Sequence, residues 1–223
     1  SFVFLEDLLK NLSLKDMLTG FFLSLRSTSS LLKKLRLEAC LDDEAVLLFT
    51  SGTESLPKAV PLTHRQILCN QKAAFFCVEI TKDDIFYGVL PPFHSFGFSL
   101  TGLLPLIFGV KVFYSPDPTA SKAMAKDIEE TGITVFCSAP SFLRSTFFEA
   151  KTEQLKSLRL VVAGAERTPK DLKEFIEQKM PHSSLIEGYG ITECAPVVTL
   201  QRLVPGRRGV GQAIEGIELC TVG

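Results

Sequence analysis

From Asp43 to Glu187 the chain alternates short, mainly apolar runs with longer segments of helical period, and this alternation limits the possible folds more than any other feature. Ala45–Phe49, Ile85–Leu90, Val110–Tyr114, Thr134–Cys137 and Leu158–Ala163 are too short for helices and lack polar alternation. They predict strands buried on both faces. Between them, Thr63 followed by Gln66 predicts a capping box that opens a helix. Phe98–Phe108 predicts an apolar helix, and Ala120, Ala123, Met124 and Ile128 share one face of another that Gly132 ends. A helix follows Pro140. Thr168 as N-cap, with Pro169 at the first helical position, predicts a further helix burying Leu172, Phe175 and Ile176. Ser184–Glu187 closes the series as a strand. Strands joined by helices of this length build βαβ units, so the class is α/β, with largely parallel sheets flanked by helices. No internal repeat or low-complexity linker interrupts the pattern.

With 223 residues the chain is long enough to bury a sizeable core. Its net charge of −1 and its lack of a basic arm argue against a nucleic-acid partner. The six cysteines are scattered, form no Cys-x-x-Cys pair, and are accompanied by three histidines outside metal-ligand spacing. They read as small buried hydrophobes in a reducing, cytoplasmic setting. Residues 1–42 form a partly helical leader. Its apolar stretch Met17–Leu25 is too short to span a bilayer. Phe21, Phe22 and Leu23 with Arg26, Lys33, Lys34 and Arg36 leave two readings, a packed leader or a basic amphipathic segment on the inner face of an anionic membrane.

Chemistry enters at Thr50–Ala59, Thr-Ser-Gly-Thr-Glu-Ser-Leu-Pro-Lys-Ala, directly after a predicted strand. Hydroxyls, a glycine and a lysine within nine residues can wrap anionic oxygens, with Lys58 as a movable positive charge. The spacing is not that of a Walker A loop, which excludes a P-loop kinase or GTPase. Taken alone the segment reads equally as a Ser/Thr-rich turn without ligand. Four further segments follow in order: Pro91-Pro92-Phe93-His94-Ser95-Phe96-Gly97, Ala163-Gly164-Ala165-Glu166, Gly188-Tyr189-Gly190-Ile191-Thr192-Glu193, and Arg208-Gly209-Val210-Gly211 with Glu215-Gly216.

In this order they resemble the ANL adenylate-forming superfamily of acyl-CoA synthetases, peptide-synthetase adenylation domains and luciferases. The family's loop is similar at Thr50, Ser51, Gly52, Thr53, Glu54, Pro57 and Lys58. It differs at Ser55, where glycine is usual and more mobile, and at Ala59. The resemblance implies that Thr50, Ser51, Gly52, Thr53, Glu54 and Lys58 bind nucleotide phosphates and that His94 lies near the bound acid. Gly164, Ala165 and Glu166 would form the adenine turn. Tyr189 and Gly190 would pack on adenine, Thr192 would contact the α-phosphate, and Glu193 would hold Mg²⁺. The Arg208–Gly216 segment reads as a structural turn, with Arg208 and Glu215 in place of the family's serine and proline.

Phe49, Glu54, the Phe93–Gly97 string and Glu187–Val198 look most like the synthetase part of bacterial acyl-[acyl-carrier-protein] synthetases, often fused to a 2-acylglycerophosphoethanolamine acyltransferase. The implied reaction joins a fatty acid to ATP·Mg²⁺, giving acyl-adenylate, and then passes the acyl group to carrier protein or CoA. The carboxylate is its own nucleophile, so no Ser-His-Asp set is expected, and no Gly-x-Ser-x-Gly elbow is found. Phe96–Leu106 is an expected wall for the acyl chain. The resemblance also implies that residues 43–223 are part of a large N-terminal domain, with a ribose-binding aspartate and a lysine-bearing C-terminal domain beyond, and that this piece alone is poorly active. An acyl-CoA ligase for another acid and a degenerate nucleotide-binding module are the competing readings.

Overall fold

The computed structural model describes residues 11–34, 40–50, 56–203 and 209–221, in two units divided between Leu41 and Asp42. In the first unit, α1 (Leu14–Ser24) starts at a capping box: Ser13 Oγ accepts from the Asp16 backbone and the Asp16 carboxylate accepts from the Ser13 backbone. α2 (Thr28–Lys34) follows. Neither helix buries a residue; Leu14, Met17, Phe21, Phe22 and Leu25 are exposed. Among the described residues no helix is long and apolar enough to cross a membrane.

The second unit opens with an antiparallel pair, β1 (Glu44–Thr50) and β2 (Lys58–Thr63), in which Thr50 lies opposite Lys58. Lys58 therefore begins a strand rather than ending a loop. β2 alternates buried Val60 and Leu62 with exposed neighbours, a half-buried pattern unlike the apolar runs used to place strands. At Thr63 the expected capping box is present: its Oγ1 accepts from Gln66 N and its own N–H donates to Gln66 Oε1 at 2.8 Å, opening α3 (His64–Cys77).

The main sheet contains β3 (Ile85–Gly88), β4 (Lys111–Tyr114), β5 (Val135–Ser138), β6 (Leu160–Ala163), β7 (Ser184–Gly190), β8 (Val197–Leu200) and β9 (Gln212–Ala213), in the order β4-β3-β5-β6-β7-β8-β9. The strands from β4 to β7 are parallel; β8 and β9 extend the sheet antiparallel. This is the α/β class with a largely parallel sheet. Successive residues in the strands feed opposite layers. Phe86, Val135, Cys137, Leu160 and Val162 face Ala73 and Ala74 of α3 together with Leu100 and Leu104. Tyr87, Phe136, Val161 and Ala163 face the helices α5 (Ser121–Thr131), α6 (Pro140–Glu149) and α7 (Lys170–Lys179) through Met124, Ile128, Leu143, Phe147, Leu172 and Ile176. Each large side chain removed from water here contributes about 1.5–3 kcal/mol. Gly132, at φ +68, takes the left-handed turn that ends α5.

Three expectations change in detail. The Phe98–Phe108 helix is a π-helical turn over Gly97–Leu103 followed by α4 (Leu104–Phe108), with Pro105 in its first turn. Pro169 is the N-cap of α7 rather than its first residue, because its ψ of 151 is extended and the helix begins at Lys170; Thr168 precedes the cap. Of the six cysteines only Cys137 is buried, and burial pushes its thiol up to about 12. Cys40, Cys69 and Cys220 are exposed, so the reading of all six as buried hydrophobes fails.

At the amino ends of the strands, Asp84 accepts from Arg159 Nε at 2.7 Å, from Thr134 Oγ1 at 2.7 Å and from Thr81 N at 2.7 Å. This closes one edge of the sheet. The opposite edge, at the carboxyl ends, is where open α/β sheets bind ligands.

Candidate functional site

Ala163 at the carboxyl end of β6 pairs in register with Glu187 in the middle of β7, so the segment that follows β6 leaves the sheet beside Gly188–Gly190. After β6, Gly164 lacks a side chain where a Cβ would meet the Phe96 ring at 3.2 Å. Ala165 turns the chain at φ +69, a conformation L-residues seldom adopt. Glu166 is anchored to the start of α6, accepting from Ser141 N at 3.2 Å and Ser141 Oγ at 3.0 Å. Tyr189, on the end of β7, is 52% exposed and leaves a ring face available.

His94, Ser95, Phe96 and Leu100 from the turn after β3 join Gly164 and Ala165, Gly188–Gly190, and Val197 and Leu200 around a cavity of about 70 Å³. A wider cleft of about 1010 Å³ shares Ala165 and Tyr189 with it and continues along Glu166–Lys170 to the ion pair of Lys173 Nζ with Glu187 Oε2 at 2.5 Å. His94 Nδ1 accepts from Phe96 N at 3.2 Å, so in the neutral ring Nε2 carries the proton.

The turn from β7 to β8 holds Thr192–Cys194 as a short 3₁₀ segment, then Ala195 at φ +67 and a cis Ala195–Pro196 bond. Buried Asn70 on α3 clamps this turn. Its Nδ2 donates to the Cys194 carbonyl at 2.9 Å and the Val197 carbonyl at 2.7 Å, and its Oδ1 accepts from Val197 N at 3.2 Å. Gly190 must be glycine, since a Cβ would meet the Pro196 carbonyl at 2.4 Å. Thr192 Oγ1 donates to Ser95 Oγ at 3.0 Å, tying this turn to the one after β3. Cys194 has its thiol pushed up by burial and by the Glu193 charge beside it.

Of the sequence-predicted site residues, His94, Gly164, Ala165, Tyr189 and Gly190 surround one cavity, and Thr192 is bonded into its wall through Ser95. Glu166 lies in the wider cleft. Glu193 is exposed and faces a separate cleft of about 320 Å³ with Arg65, Cys69 and Glu215. Lys58 is exposed on β2, which packs beside the Thr192–Cys194 turn, and Thr50 lies opposite it. Ser51, Gly52, Thr53, Glu54 and Arg208 lie outside the described residues. Of the expected acyl wall, Phe96 and Leu100 reach the cavity, while Leu104 is in the core and Leu106 is 77% exposed. Sequence reading did not single out Ser95 or Asn70. Ser95 sits inside a motif already quoted, but Asn70 gave only a polar residue on an apolar helix face.

Among the described residues no three His, Cys, Asp or Glu side chains converge as a metal cage. One exposed carboxylate, Glu193, suits Mg²⁺, which keeps most of its waters and takes its other ligands from phosphate oxygens. Small residues beside an exposed aromatic ring suit a purine in the same way.

The fold and site thus define an α/β protein with a mainly apolar cavity at the carboxyl ends of adjacent parallel strands, the turn carrying Thr192 bonded to its wall. The chain belongs to the family described as AMP-binding enzyme, whose sequence pattern matches residues 12–222. A 3-[(3aS,4S,7aS)-7a-methyl-1,5-dioxo-octahydro-1H-inden-4-yl]propanoyl:CoA ligase from Rhodococcus jostii is 33% identical over 184 residues, covering 80% of this chain and 35% of the relative. The medium-chain fatty-acid–CoA ligase of Escherichia coli is 30% identical over 186 residues, 81% of this chain and 32% of the relative. The chain thus spans about a third of the length of these relatives. O-succinylbenzoate coenzyme A synthetase from Bacillus subtilis, solved with ATP and magnesium ion, superposes with a TM-score of 0.70 at 22% identity, over 79% of this chain and 37% of that one. It is a likeness of fold.

Proposed function

We propose that the protein activates a fatty acid with ATP to an acyl-adenylate and passes the acyl group to a thiol, of CoA or of an acyl carrier protein. The observation that carries this reading is the meeting, around one cavity, of the turn after β3, the small-residue turn after β6 and Gly188–Gly190 at the end of β7, with Thr192 bonded to Ser95 in its wall. The apolar side of the cavity, Leu100, Val162, Val197 and Leu200, suits an alkyl chain. The polar side suits a carboxylate facing a phosphate. The acid's own oxygen attacks the α-phosphorus, and pyrophosphate leaves. The chain's part is to position the two substrates and to stabilise charge.

In this reading Tyr189 and the Gly164–Ala165 turn bracket the base, Thr192 and Lys58 reach the phosphates, and Glu193 holds Mg²⁺, which when bound neutralises phosphate charge. Ser51–Glu54 belong to the same phosphate grip. The relatives named as CoA ligases favour CoA as acceptor; the string Phe93–Gly97 with Glu187–Val198 favours a carrier protein. Acid-dependent exchange of pyrophosphate into ATP by the full-length protein tests the reading. Exchange with straight-chain fatty acids, cut at least a hundredfold by Glu193→Gln, is expected. Exchange only with aryl acids, or none while ATP still binds, would contradict it.

A further inference from the structure

Ser95 is 6% exposed, and among the described residues the one hydrogen bond of its side chain is the one it accepts from Thr192 Oγ1 at 3.0 Å. With that lone pair engaged, the hydroxyl's own proton has no acceptor among the described residues, although Ser95 lines the cavity. Placed on the cavity wall, that hydroxyl can donate to a group bound there. The other walls are apolar side chains, glycines and alanines, apart from His94 and Tyr189. His94 is the neighbour of Ser95 and, with Nδ1 engaged by Phe96 N, offers Nε2–H. Two adjacent lining residues thus carry donors, while most of the other lining residues are apolar. A carboxylate with an alkyl tail has the complementary form: two acceptor oxygens at one end and hydrocarbon at the other.

We infer that Ser95 is a substrate-binding residue whose hydroxyl, oriented by Thr192, donates to the carboxylate of the acid substrate. This deepens, and rests on, the acid-activating reading of the same site. Because Thr192 also faces the phosphate side in that reading, the Thr192–Ser95 bond would bring the attacking oxygen and the α-phosphate to one pair of hydroxyls. Ser95 then sets affinity for the acid and leaves that for nucleotide alone.

The test compares wild type, Ser95→Ala and Ser95→Thr of the full-length protein in two assays. One is pyrophosphate exchange with separate KM values for hexanoate and ATP, and the other is direct calorimetric binding of hexanoate in the presence of AMP. Ser95→Ala should raise the hexanoate KM and weaken hexanoate binding about tenfold, with the ATP KM within twofold of wild type. Ser95→Thr, which keeps the hydroxyl, should recover most of the loss. Hexanoate and ATP constants rising together, or neither moving, would overturn the inference and assign Ser95 to packing. If no acid supports exchange yet hexanoate binds wild type and binds Ser95→Ala tenfold more weakly, the inference stands and the activation reading falls. Failure of hexanoate to bind wild type overturns the inference directly.

Discussion

Asp84 ties the amino ends of β3, β5 and β6 together through Thr81, Thr134 and Arg159. Burial pushes its carboxyl up, but the Arg159 guanidinium and the Thr81 and Thr134 hydrogen bonds outweigh burial and hold it at about 2, below its ordinary 3.8. A carboxylate with a lowered folded-state value contributes stability that is present above pH 4 and lost as pH falls through 2. For this shift the contribution is about 2 kcal/mol. Urea titrations of wild type at pH 7 and pH 2.5 should show that loss, and Asp84→Asn should be weaker at pH 7 with a flatter acid limb. Nothing local in the sequence marks this pair, since 75 positions separate its members. Gly188, Tyr189 and Gly190, which line the cavity, could be picked out for the opposite reason: their motif is contained in six consecutive residues. Ser95 was passed over because a serine in a turn carries no signal until its partner, 97 positions on, is placed beside it.

At the scale of elements, strands were legible as apolar runs, but the expected burial on both faces holds for β5 and β6 and not for β1 or β4, where Leu47, Phe49 and Tyr114 are exposed. β5, β6 and the start of β7 coincide with apolar runs because alternate residues enter two separate cores. β2, β8 and β9 were not foreseen. β2 is half-buried, while Val197–Leu200 includes a threonine and follows a cis proline turn rather than a helix. The π-helical turn over Gly97–Leu103 was also beyond reach, because over seven residues its period cannot be told from an α-helix. Position in the fold also explains why α3 matters to the site although it contributes no residue to the cavity. Through Asn70 it makes three hydrogen bonds to the turn carrying Thr192 and Glu193. Asn70→Ala leaves two carbonyls and an N–H without partners, at a cost of about 3 kcal/mol. Thermal melts should register that loss, and exchange activity should fall with kcat more than with the KM for ATP. Asn70→Asp, which keeps the acceptor but not the donor, should be no better.

At the scale of the whole molecule, the main sheet of the second unit carries an ion pair at its amino edge and a cavity at its carboxyl edge. The α/β class followed from periodicity alone. The placing of the site needed the order β3-β5-β6-β7, which brings the turns after β3, β6 and β7 together from residues about 95 positions apart. The family match over residues 12–222 agrees with that architecture. The central claim is that adenine nucleotide binds between Tyr189 and the Gly164–Ala165 turn. Photocrosslinking with 8-azido-AMP, followed by peptide mass spectrometry, tests it most directly. The account predicts labelling confined to the peptides around Gly164–Arg167 and Gly188–Thr192, suppressed by excess ATP. Labelling elsewhere on the sheet, or labelling that ATP does not suppress, would contradict it.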